Sequence, residues 1–167
     1  MPDFYAWFAG IVPIFYGPCW GHALWEATSM SSEQQFAMSA HNIMFITDNQ
    51  VDAKKIEKAF MDIGSMECLL FTCATVDQAV QYIDQRQIAM EVVILDLHIK
   101  GGQSPDTLCA DVIERIPGVP VMALDVKSED STVQAAAIRA SGAADYMDRT
   151  QFDELVFRIK KLINNKA

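Results

Sequence analysis

The stretch Glu91-Val-Val-Ile-Leu-Asp-Leu-His-Ile-Lys-Gly-Gly102 (EVVILDLHIKGG) decides the fold. Glu91–Leu95 is an apolar run that reads as a central strand buried on both faces, and it ends at Asp96. A Gly- and Pro-containing loop follows, leading to a helix near Asp106–Ile116. Upstream, Asn42–Thr47 is a second short apolar run, stopping at Asp48-Asn49. Between the two, Ala53, Ile56, Ala59, Phe60 and Ile63 recur at helical spacing and Gly64 closes that helix. Glu67–Ala74 reads as a strand, and Thr75 with Gln78 forms a capping-box pattern for a helix through Ile83 and Arg86. Downstream, Val119–Leu124 is a strand ending at Asp125, and Ser131–Ser141 is a helix stopped by Gly142. Ala144–Met147 is a short fifth strand. An amphipathic helix over Gln151–Ile163 turns Phe152, Leu155, Val156, Ile159 and Leu162 inward.

Five strands alternating with five helices predict an α/β fold, a parallel sheet with helices on both faces. Ligands of such sheets bind beyond the carboxyl ends of the strands. That rule selects Asp48, Asn49, Asp96, Asp125 and Arg149, of which three are carboxylates.

The composition bounds what this site serves. The 167 residues suffice for one domain and an extension, and 51% hydrophobic with 21% charged residues excludes a disordered chain. Thirteen bases against 22 acids give a net charge of −9, which offers no footprint for a nucleic-acid backbone. Four cysteines without zinc-ligand spacing point to a reduced, cytoplasmic protein rather than a disulfide scaffold. Cys68 and Cys73, five apart on one strand, face opposite ways and share no metal. His41 sits in the linker, His22 has no second ligand nearby, and His98 reads as a solvent-facing loop residue.

The chain divides at its amino-terminal end. Residues 1–29 hold Trp7, Trp20 and Trp25, and residues 4–25 carry no charge. Such a length just spans a bilayer core, but Pro13, Gly17 and Pro18 interrupt a helix and no basic residue flanks it. Three readings stand: a membrane or interfacial anchor, an aromatic hook for a partner protein, or an over-long start preceding Met30. Residues 30–41 are small and polar, a linker to the domain at 42–166.

Carboxylates gathered at strand ends repel one another unless a cation sits between them, and magnesium suits oxygen ligands of this kind. An aspartate beside such an ion can attack a phosphoryl group as a nucleophile. The alternative is that the acids only cap helix N-termini. A flavin-phosphate loop, an Asp-x-Asp phosphatase motif, G-x-G-x-x-G and a Walker loop are all missing.

The segments ITDNQ, VVILDLHIKGG, PVMALDV and SGAADYMDR carry a resemblance to the receiver domains of two-component response regulators, the chemotaxis-regulator-like fold. It extends over Asn42–Lys166 and implies the strand order 2-1-3-4-5. It further implies that Asp96 is the phosphoacceptor, that Asp48 belongs to the acidic pair, that the His98 backbone carbonyl is a metal ligand, and that Tyr146 is the aromatic switch. The departures are at the pocket. Asn49 stands at a metal-ligating acid, so magnesium binding should be weak. Asp125 replaces the threonine or serine that contacts a phosphoryl group, where a carboxylate repels it. Arg149 replaces the lysine, and its planar fork is no substitute for a compact ammonium. Asp125 and Arg149 are candidates to pair with each other.

The pattern resembles a pseudo-receiver. The expectation is a stand-alone signalling protein of a phosphorelay, without enzymatic activity, acting through protein partners such as a sensor histidine kinase or a larger complex. Its expected contact face joins the fourth helix, fifth strand and fifth helix. The alternative is a phosphorylation-independent scaffold subunit, held at a complex or the inner face of a membrane by residues 1–29.

Overall fold

In the computed structural model the described residues are 14–15, 40–63, 68–101, 103–126 and 131–165. The chain order is β1 (Ile14–Phe15), β2 (His41–Ile46), α1 (Gln50–Ile63), β3 (Cys68–Cys73), α2 (Val76–Arg86) and β4 (Val92–Asp96). It continues with α3 (Pro105–Arg115), β5 (Val121–Asp125), α4 (Ser131–Ala140), β6 (Asp145–Asp148), a 3-10 turn (Arg149–Gln151) and α5 (Phe152–Asn164). The sheet order is β1-β3-β2-β4-β5-β6. From β3 to β6 all pairings are parallel, the five-stranded order expected of the sequence.

Two boundaries differ from the sequence reading. β2 begins at His41, assigned above to the linker, where His41 Nδ1 meets Glu91 Oε2 at 2.6 Å. The extension also contributes a sixth strand: Ile14 and Phe15 pair antiparallel with Leu70 and Leu69 on the outer edge of β3. No simple periodicity announces a strand of two residues between prolines at 13 and 18. Among the described residues no helix is long and apolar enough to cross a membrane. Trp7, Trp20 and Trp25 lie outside the described residues, as do Cys19, His22 and Gly64.

Side chains alternate across the sheet with period two, and the core is accordingly split in two. Ile43, Phe45, Cys68, Leu70, Val92, Ile94, Met122, Leu124 and Met147 pack with α1 and α5 through Ile56, Phe60, Leu155, Val156 and Ile159. Met44, Ile46, Leu69, Phe71, Cys73, Val93, Leu95, Val121 and Ala123 pack on the other face with residues of α2, α3 and α4. Cys68 and Cys73 do fall on opposite faces. Burial pushes both thiols up to about 11, so neither is a thiolate at neutral pH.

Local signals set the helix ends. Thr75 Oγ1 accepts from the Gln78 N–H at 3.2 Å, while Gln78 Oε1 reaches back to the Ala74 N–H at 3.0 Å. The capping box therefore closes one residue earlier than its usual form. Gln87 ends α2 in the left-handed region at φ 52° and donates its N–H to the Ile83 carbonyl. A side chain is unfavourable there and glycine is not. Gln87→Gly should therefore stabilise the domain by about 0.5–1 kcal/mol, read as a higher urea midpoint at unchanged m-value.

Candidate functional site

At the carboxyl end of the sheet, Asp96 closes β4 and is only 1% exposed. Its Oδ2 accepts the Thr47 hydroxyl at 2.7 Å and its Oδ1 accepts the His98 N–H at 2.7 Å. The Arg149 guanidinium, entering from the turn after β6, also bonds Oδ1. Its other amino group reaches Asp52 Oδ2 at 3.1 Å. Asp52 is buried in the first turn of α1 and is further held by Asn49 Nδ2 at 2.9 Å and Lys55 Nζ at 3.3 Å. One guanidinium thus bridges two buried carboxylates, and the group keeps a net negative charge before Lys55 is counted.

A second cluster gathers on Asp125, also 1% exposed, at the end of β5. Its Oδ1 accepts the Val126 N–H at 2.7 Å and contacts His98 Nε2 at 2.5 Å; its Oδ2 accepts the Tyr146 hydroxyl at 2.7 Å. The sheet register separates the two clusters. Asp96 pairs with Leu124, so it points as Leu124 does, toward α1 and α5. Asp125 points the opposite way, on the face where Tyr146 packs.

The expected pairing of Asp125 with Arg149 is therefore corrected. Arg149 follows Met147 in the alternation of β6 and meets Asp96 and Asp52 instead. His98 is an exposed loop residue, as expected, with its side chain 46% exposed; its ring is in addition held by Asp125. Asn49 caps α1, with Oδ1 accepting from the Val51 and Asp52 N–H groups at 3.0 and 3.3 Å. Asp48 faces the next loop, with Oδ2 3.3 Å from the Lys100 nitrogen and 3.8 Å from its Nζ. Of the residues around 48, it is Thr47 whose side chain touches Asp96.

The chain matches no protein-family model and no curated protein. Solved structures do match it. A response regulator of Chloroflexus aurantiacus is 23% identical, with a TM-score of 0.61 over 75% of this chain and 98% of that one. A response regulator of Thermotoga maritima is 18% identical, with a TM-score of 0.60 over 75% and 98%. The receiver domain of NtrX from Brucella abortus is 21% identical, with a TM-score of 0.58 over 73% and 98%. The fold is that of response-regulator receiver domains.

The receiver fold raises the question of a magnesium ion, and the residues present answer it. Among the described residues no group of three or more His, Cys, Asp or Glu is placed to hold a metal. The Arg149 guanidinium already compensates Asp96 and Asp52, and a divalent ion in contact with the same oxygens would meet its positive charge. Asn49 has its amide oxygen committed to the helix cap. As arranged, this receiver site does not fit a divalent ion.

Two participants were not singled out from the sequence. Asp52 had a signal: it lies four residues before Ile56 and eight before Phe60, on the buried stripe of α1, where an acid needs a partner. Thr47 continues the alternation of Ile43 and Phe45 to the face on which Asp96 stands.

Proposed function

We propose that this chain is a receiver-like signalling module that works by protein–protein interaction and does not depend on phosphorylation of Asp96. The observation that carries the reading is the Arg149 bridge between Asp96 and Asp52. A phosphoryl donor is an anion, and it would approach a buried pair of carboxylates whose one bridging cation is already engaged by both. Asp96 on this reading is a structural acceptor at the phosphoacceptor position, and the module has no catalytic activity of its own.

The face formed by α4, β6 and α5 supports an interaction role. Val133 on α4 and Phe157 on α5 are each 72% exposed and give a partner apolar side chains to cover. A sensor kinase or a larger complex is the partner class that a receiver fold suggests. The alternative, a scaffold subunit tethered through residues 1–29, gains no separate support. The described part of that segment, Ile14–Phe15, pairs within its own sheet.

Incubation with acetyl phosphate and magnesium, followed by intact-mass analysis, tests the reading. The expected result is no phosphoryl adduct under conditions that label an ordinary receiver. An adduct that Asp96→Asn abolishes would overturn it.

A further inference from the structure

We propose that Asp125 is a permanent latch on Tyr146, so that this side chain is held from within the chain whatever the chemical state of Asp96. The argument begins with burial. A carboxylate withdrawn from water needs a donor on each oxygen, and leaving one unmatched is costly. Oδ1 of Asp125 has the Val126 N–H and the His98 ring. On Oδ2 the Tyr146 hydroxyl is the only donor among the described residues, at 2.7 Å. If the tyrosine swung outward it would leave half of a buried carboxylate unpaired, so the inward position is favoured at all times.

The geometry agrees. Tyr146 pairs in register with Ala123, two residues before Asp125 on the neighbouring strand. The two side chains are therefore diagonal neighbours on one face of the sheet. The ring packs against the core on that face, so apolar contact and hydrogen bond favour the same position. Burial, then the Asp125 carboxylate, hold the Tyr146 hydroxyl protonated beyond the usual tyrosine range, which keeps it a donor.

Asp96 and Arg149 lie on the other face, and His98 touches both clusters. Its backbone N–H bonds Asp96 and its ring contacts Asp125. The Tyr146 bond itself runs directly to Asp125 and includes neither Asp96 nor Arg149. This inference rests on residues separate from those that carry the phosphorylation reading.

Fluorine NMR of the full chain labelled with 3-fluorotyrosine reads the latch. There are four tyrosines, and Tyr146→Phe assigns the relevant resonance. In Asp96→Asn the Tyr146 signal should stay within its own linewidth. In Asp125→Ala it should move by several linewidths toward the position of a solvent-exposed tyrosine. A Tyr146 signal that moves in Asp96→Asn, or stays in place in a folded Asp125→Ala, would overturn the latch. If Asp125→Ala does not melt cooperatively, Tyr146→Phe supplies the second arm. Removing the hydroxyl changes the carboxylate shared with His98, so the His98 imidazole resonances, assigned with His98→Gln, should shift. Imidazole signals unchanged in Tyr146→Phe would equally overturn it. Because the readout is a side chain of this protein, an adduct on Asp96 would remove the phosphorylation reading and leave the latch standing.

Discussion

Arg149→Met should lower stability at pH 7 by about 3 kcal/mol, in the range found when one partner of a buried ion group is removed. Asp96, Asp52 and Arg149 have side chains 2%, 8% and 16% exposed, so solvent cannot take over the missing charge. The substitution leaves two buried carboxylates facing one vacated volume. Their repulsion and desolvation remain, and among the described residues only Lys55, on the Asp52 side, stays in salt-bridge range. For a domain of this size the loss corresponds to a fall in melting temperature of roughly 10–15 °C. One accompanying measurement separates charge from packing. Asp52→Asn added to Arg149→Met should recover much of the loss, whereas a pure packing defect would not respond to it. A melting temperature within about 2 °C of the parent, a change well below 1 kcal/mol, would sink the account of the bridge.

The other large effect is expected in the core. Phe45 lies on β2, between β3 and β4, and is fully buried against the helices on the α1 and α5 side. Phe45→Ala removes most of an aromatic side chain from a close-packed interior. The cost is the lost transfer energy plus the cavity that strands on either side cannot collapse to fill, together about 3–5 kcal/mol. Phe45→Leu keeps most of the volume and should cost under about 1.5 kcal/mol. Phe157→Ala, at an exposed position of α5, should change stability by no more than about 0.5 kcal/mol. Urea titrations of the three variants check the order, and equal losses in all three would contradict the placement of the core.

The sheet was legible because its signals are local. The apolar runs read at Glu91–Leu95 and Val119–Leu124 have the length and continuity of doubly buried strands, and the helices around them carry their own caps and stripes. Asp96, Asp125 and Arg149 were singled out because each lies where a strand-forming run stops, whereas Thr47 and Asp52 were not. The partners of the three were less legible. Grouping Asp125 with Arg149 took account of charge and neglected alternation. With Leu124 and Met147 on one face, Arg149 must share a side with Asp96 and not with Asp125. That step needs the strand register, which is set by long-range pairing and not by any local motif. The contact of the His98 ring with Asp125 went unread for a related reason: whether a loop side chain turns back depends on the loop's path, and no periodicity reports that. The β1 pairing leaves even less trace, being two residues long.

That short strand has a consequence for association between copies of the chain. Bare, the outer rim of β3 would present a row of unpaired amide and carbonyl groups of the kind that recruits other chains. Ile14 and Phe15 pair with Leu70 and Leu69 and so cover part of that rim. Two residues of antiparallel pairing thus act as a guard on an edge strand, whatever they add to the stability of the finished sheet.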